Sequence, residues 1–92
     1  MELDLRFFAT FREAVGQKTL TREFDDDVTV GEVLEELEVE YDGLEGQLLE
    51  NGEVRPQLNV LRNGRNVVHD EGVETVLAAG DTLSVFPPVA GG

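Results

Sequence analysis

The sequence predicts an α+β domain in which one mixed, five-stranded sheet is wrapped across a single main helix. Three stretches lead there. ELDLRFFA, residues 2–9, alternates Leu3, Leu5, Phe7 and Ala9 against Glu2, Asp4, Arg6 and Phe8, the period of a half-buried strand. TVGEVLEELEVEY, residues 29–41, carries one apolar stripe at helical spacing. TLSVF, residues 82–86, alternates again and runs into Pro87 and Pro88, which have no N–H to offer a ladder. One helical stripe needs one sheet face to cover, and 92 residues supply one core rather than two.

The elements follow in order. After the first strand, TFREAVGQK carries the chain around to KTLTREF, where Leu20 and Phe24 share a face, so the two strands form a hairpin. Thr29 and Glu32 match a capping box, and Val30, Val33, Leu34, Leu37 and Tyr41 then make the stripe. Asp25 to Asp27 stand just before that start, where the amide end of a helix favours negative charge. A calcium loop from Asp25 to Glu36 fails because Val30 occupies the position that needs glycine. Residues 41–57 read as a loop with one helical turn around Leu44, Leu48 and Leu49. LNVLRNGRNVVH places Asn63-Gly64 between strands near 57–62 and 65–68. The first and last strands are expected side by side and parallel in the middle of the sheet.

Twenty acidic against seven basic residues give a formal charge of −13, which repels phosphate backbones and anionic lipid, so neither nucleic acid nor membrane is an expected partner. The acids spread over most exposed positions suit a high-salt cytoplasm, where counterions relieve their repulsion. Without cysteine there is no thiol nucleophile or thiolate metal site. His69, the one histidine, sits beside Asp70 and Glu71 and reads as a solvated residue. No catalytic residue and no metal ligand is assigned, and the protein is not expected to be an enzyme.

The chemistry is expected at the other end. Residues 1–86 form the domain and residues 87–92 an extended, flexible tail. Pro87 and Pro88 hold two φ angles and aim Val89, Ala90, Gly91 and Gly92 away from the last strand. Two glycines pass through a channel too narrow for a Cβ and take whatever conformation a partner imposes. The Gly92 carboxylate is then open to activation, for example as a mixed anhydride, before a sulfur donor or an amine attacks it. Phe8 and Phe86 fall on the outward faces of strands expected side by side and are expected to form an apolar patch with Leu61, and an exposed apolar cluster beside such a tail reads as an interface. Arg62 and Arg65 flank the hairpin turn and read as solvated charges.

The strand-strand-helix-strand-strand-strand order, the opening LRFFATFREAVG and the ending FPPVAGG resemble the ubiquitin-like β-grasp family, in particular the molybdopterin synthase small subunit and the small archaeal modifier proteins. Residues 42–56 are longer than the minimal pattern. The resemblance implies that an ATP-dependent, ubiquitin-activating-like enzyme adenylates Gly92 of a free, cytoplasmic monomer that binds no cofactor of its own. It implies two outcomes for the adenylate: an isopeptide bond to a lysine of a target protein, or a thiocarboxylate that delivers sulfur, with the molybdopterin synthase large subunit as partner. The acidic, lysine-poor body tilts the reading to the modifier. A non-covalent β-grasp binding module with an idle tail is the third reading.

Overall fold

Strand β1, Glu2–Phe7, buries Leu3, Leu5 and Phe7 and turns Asp4 and Arg6 outward, as its alternation predicts. The computed structural model describes residues 1–88, so Val89, Ala90, Gly91 and Gly92 lie outside the described residues. Strand β2, Thr19–Glu23, returns antiparallel to β1, pairing Leu5 with Leu20. Between them stands helix α1, Ala9–Val15, where the sequence reading had only a connecting turn. Its cue was Phe11 and Val15, one turn apart and both buried, followed by Gly16 at φ 87, whose N–H donates to the Arg12 carbonyl. Ala9, expected on the inward face of β1, is instead exposed with φ 51, because the chain leaves the strand there to enter α1.

Helix α2, Val30–Glu40, opens on the predicted box: the Glu32 N–H donates to Thr29 Oγ1 at 3.2 Å and the Thr29 N–H to Glu32 Oε1 at 2.9 Å. Val30, Val33, Leu34 and Leu37 are buried against the sheet. Burial of side chains of this size stabilises by roughly 1.5–3 kcal/mol each, which outweighs what the cap and helix propensity contribute.

The segment 42–56 is more ordered than a loop. A 3-10 turn at Asp42–Leu44 buries Leu44, and β3, Leu49–Glu50, pairs antiparallel with β4, Glu53–Val54, as a separate two-stranded sheet. The Glu38 carboxylate fastens it to α2, accepting from the N–H groups of Leu48 and Leu49 at 2.8 and 2.9 Å. Asn51 and Gly52 turn the hairpin with φ 54 and 79, the same conformation that Asn63 and Gly64 adopt at φ 51 and 87.

Strands β5, Asn59–Arg62, β6, Arg65–Asn66, and β7, Thr82–Phe86, complete the main sheet in the order β2-β1-β7-β5-β6. β6 ends two residues before the predicted 68 because Val67–His69 winds into a 3-10 turn that buries Val67. β1 and β7 are parallel neighbours at the centre, with Phe7 opposite Val85, and the other pairings are antiparallel. The fold is the α+β, ubiquitin-like β-grasp, with α2 under the five-stranded sheet. Parallel pairing at the centre has a functional consequence: the exit of β1 into α1 and the exit of β7 into Pro87 lie at the same end of the molecule.

Candidate functional site

At that common end Phe8, the residue between β1 and α1, meets the outward side of β7. The Phe8 and Phe86 rings stack with centroids 4.1 Å apart and planes 7° from parallel, a geometry that contributes about 0.5–1.5 kcal/mol beyond area burial. Across β7 the register sets Asn59 opposite Phe86 and Leu61 opposite Ser84, which adds Leu61 to the same face. Phe8, Leu61 and Phe86 thus line one open groove of about 630 Å³ with Ala9, Thr10, Asn59, Pro87 and Pro88. Asn59 accepts from Asn66 Nδ2 at 3.1 Å, which satisfies the polar rim on the β6 side.

Alternation places Phe8 and Phe86 outward, but only the parallel β1–β7 register puts their rings in contact. The structure therefore brings together Phe8, Leu61, Phe86, Pro87 and Pro88 from the residues predicted to matter. Val89 and Ala90 continue from Pro88, and with Gly91 and Gly92 they lie outside the described residues.

The start of β7 is held by a polar clamp that the sequence did not reveal. Asp81, 7% exposed, accepts from Arg62 Nε at 2.8 Å, Asn63 Nδ2 at 2.9 Å and the Ala78 N–H at 2.8 Å. Burial alone would raise its pKa. The three donated bonds and the Arg62 charge more than offset that and hold the carboxyl below its usual range. Asn63 also accepts from the Thr82 N–H at 2.9 Å, while its own N–H donates to the Thr82 carbonyl at 2.8 Å. Asn63-Gly64 is thus a turn signal and a lock on β7 at once. Arg62 and Arg65, expected to be solvated charges, are both paired, Arg65 with Asp70 at 3.0 Å.

His69 is exposed, and its carbonyl accepts from Arg65 Nη2 at 3.1 Å. Asp25 to Asp27 are exposed at the entrance to α2. Among the described residues no group of three or more His, Cys, Asp or Glu side chains is arranged to hold a metal ion, and no helix is long and apolar enough to cross a membrane.

The ThiS family model matches residues 5–92. The chain belongs to the ThiS family. Small archaeal modifier protein 3 of Haloferax volcanii is 66% identical over the full length of both chains. The crystal structure of small archaeal modifier protein 1 from the same organism superimposes with a TM-score of 0.82, at 34% identity and complete coverage of both chains. Sulfur carrier protein CysO of Mycobacterium bovis is 32% identical, covering 84% of this chain and 83% of the relative. The relatives named here are modifiers and a sulfur carrier, and this chain is a ubiquitin-like protein of that kind, a carrier rather than an enzyme.

Proposed function

We propose that the protein presents the Gly92 carboxylate, on the tail 87–92, to an adenylating enzyme that docks on the groove of Phe8, Leu61 and Phe86. The carboxylate attacks the α-phosphorus of ATP, forming the acyl-adenylate and releasing pyrophosphate. The ε-amine of a target lysine then attacks the carbonyl, forming an isopeptide bond and expelling AMP. Hydrosulfide attacking the same carbonyl gives the thiocarboxylate and AMP. Both outcomes use one activated intermediate.

The observation that carries the reading is the continuity of groove and tail. Pro87 and Pro88 are themselves part of the groove wall. An enzyme seated on the aromatic pair therefore also meets Pro87 and Pro88, the first two residues of the run that leads to Gly92, and docking there supplies proximity for acyl activation. Apolar grooves with aromatic anchors suit such docking because a few buried rings supply most of the binding energy. The modifier role is supported by full-length similarity to small archaeal modifier protein 3, and the sulfur role by similarity to CysO, so the two are taken as uses of one tail. A cytoplasmic location, where ATP is present, belongs to the same reading.

The test uses the full chain, the host's activating enzyme and ATP. Pyrophosphate exchange dependent on the chain is expected, followed by a mass gain equal to replacing one oxygen by sulfur when a sulfide source is added. Host proteins should carry a tail remnant on lysine after digestion. Deleting Gly91 and Gly92 should abolish all three. Retention of exchange after that deletion would sink the proposal and favour a binding module with an idle tail.

A further inference from the structure

The two edges of the main sheet are finished differently. At one edge β6 has two residues and leads at once into a 3-10 turn, so it offers little unpaired backbone. At the other, β2 runs from Thr19 to Glu23 in unbroken one-to-one register with β1, without a proline, and is paired along one side only. Edges are commonly shortened, bulged or covered, because a row of free backbone groups is a template for another strand.

The phase of the β1–β2 ladder fixes which groups are left over. The Phe7 N–H donates to the Lys18 carbonyl and the Phe24 N–H to the Met1 carbonyl, both at 2.8 Å. Lys18, Leu20, Arg22 and Phe24 therefore direct their backbone groups at β1, and the residues between them direct theirs away. The N–H and C=O groups of Thr19, Thr21 and Glu23 line the open edge, with no hydrogen-bond partner among the described residues.

The edge also has an electrical polarity. Past Glu23, the exposed Asp25, Asp26 and Asp27 share an open hollow of about 550 Å³ with Glu23, Glu32 and Glu36. The N-terminal ammonium lies 3.4 Å from Glu23 and 3.8 Å from Asp26, one cation against these six acids. Arg22 is taken up by Glu40 and donates to the Tyr41 hydroxyl at 3.3 Å. Lys18 stands at the opposite end of the strand.

We propose that β2 accepts an added strand: an extended segment of a partner protein, with small or β-branched residues along it and a Lys or Arg pair at the end that meets Glu23. Backbone hydrogen bonds to Thr19, Thr21 and Glu23 supply the affinity, and the acidic hollow selects the basic end by charge complementarity. Glu23 is paired with Glu2 at the start of β1, the end opposite Phe8. The edge can therefore be occupied while the tail reacts, and the inference does not depend on activation of Gly92.

The experiment titrates the full, isotope-labelled chain with a capped peptide of alternating threonine and valine, at about 0.1 M and about 1 M salt, reading amide shifts and amide exchange. The peptide begins with Arg-Arg, because antiparallel pairing, the more stable kind, sets its start beside Glu23. Shifts and slowed exchange are expected at Thr19, Thr21 and Glu23, and not at Phe8 or Leu61. The same peptide N-methylated on the residues that face β2 keeps its charge and loses its donors, and should bind about tenfold more weakly at both salt concentrations. Asp25→Asn/Asp27→Asn should weaken binding about threefold at low salt and less at high salt, with Glu50→Gln/Glu53→Gln, the same charge change away from the edge, close to wild type. Melting curves on both variants separate loss of binding from loss of fold. Absence of binding, equal binding of the N-methylated peptide, or shifts centred elsewhere would overturn the proposal. Concentration-dependent protection of the same amides in the chain alone would also overturn it, by assigning the edge to a second copy.

Discussion

Replacing Asp81 with alanine should destabilise the domain by about 3 kcal/mol, because the carboxylate accepts three hydrogen bonds that nothing else in the site can take over. A hydrogen bond to a charged group contributes about 1.5–3 kcal/mol. The Arg62 bond is discounted towards the value of a surface pair, since that side chain is 31% exposed. For a domain of this size 3 kcal/mol corresponds to a fall in Tm of roughly 12–24 °C. Urea titration at fixed salt should show a lower midpoint with an unchanged slope, since the loss is local. pH supplies an independent check. Asp81 has a depressed folded pKa, so its contribution is fully present above the unfolded value of about 3.9 and disappears as pH falls through the folded pKa. The gap between wild type and variant should therefore close in strong acid, where both lack the charge. A loss under about 0.5 kcal/mol, or a gap unchanged at about pH 2, would refute the clamp.

Three further outcomes are expected. Gly43→Ala would put a Cβ 2.7 Å from that of Ala14, forcing the 3-10 turn off α1 at a cost of about 1–3 kcal/mol by chemical denaturation. Thr29→Ala removes the reciprocal cap of α2 and should cost about 1 kcal/mol, visible as a lower Tm and faster amide exchange in its first turn. With a charge of −13 the domain should melt at a higher temperature in about 1 M salt than in about 0.01 M; a Tm insensitive to salt would show that the carboxylates do not strain the fold.

Much of the site was legible because its parts are local. Pro87 and Pro88 stop a strand wherever they stand, and the capping box of Thr29 and Glu32 appears as read. The alternation of β1 and β7 correctly sends Phe8 and Phe86 outward. The misses share a cause. Helix α1 has seven residues and no side-chain cap, too short to hold alone, and exists because Phe11 and Val15 find the core. The β3–β4 hairpin has two residues a side, too few for alternation to show, although its Asn51-Gly52 turn carries the same signal that located the turn at Asn63-Gly64.

By itself the sequence determined the order of the five main-sheet strands and the main helix, the acidic surface and a proline-stiffened run into Gly91 and Gly92, since backbone constraint and side-chain periodicity are properties of neighbours along the chain. The parallel register that stacks Phe8 on Phe86, the burial of Asp81 among three donors from two separate segments and the ion pairs of Arg22, Arg62 and Arg65 were decided only by tertiary structure. Those depend on which distant residues share a volume, and that is settled when the sheet closes over α2.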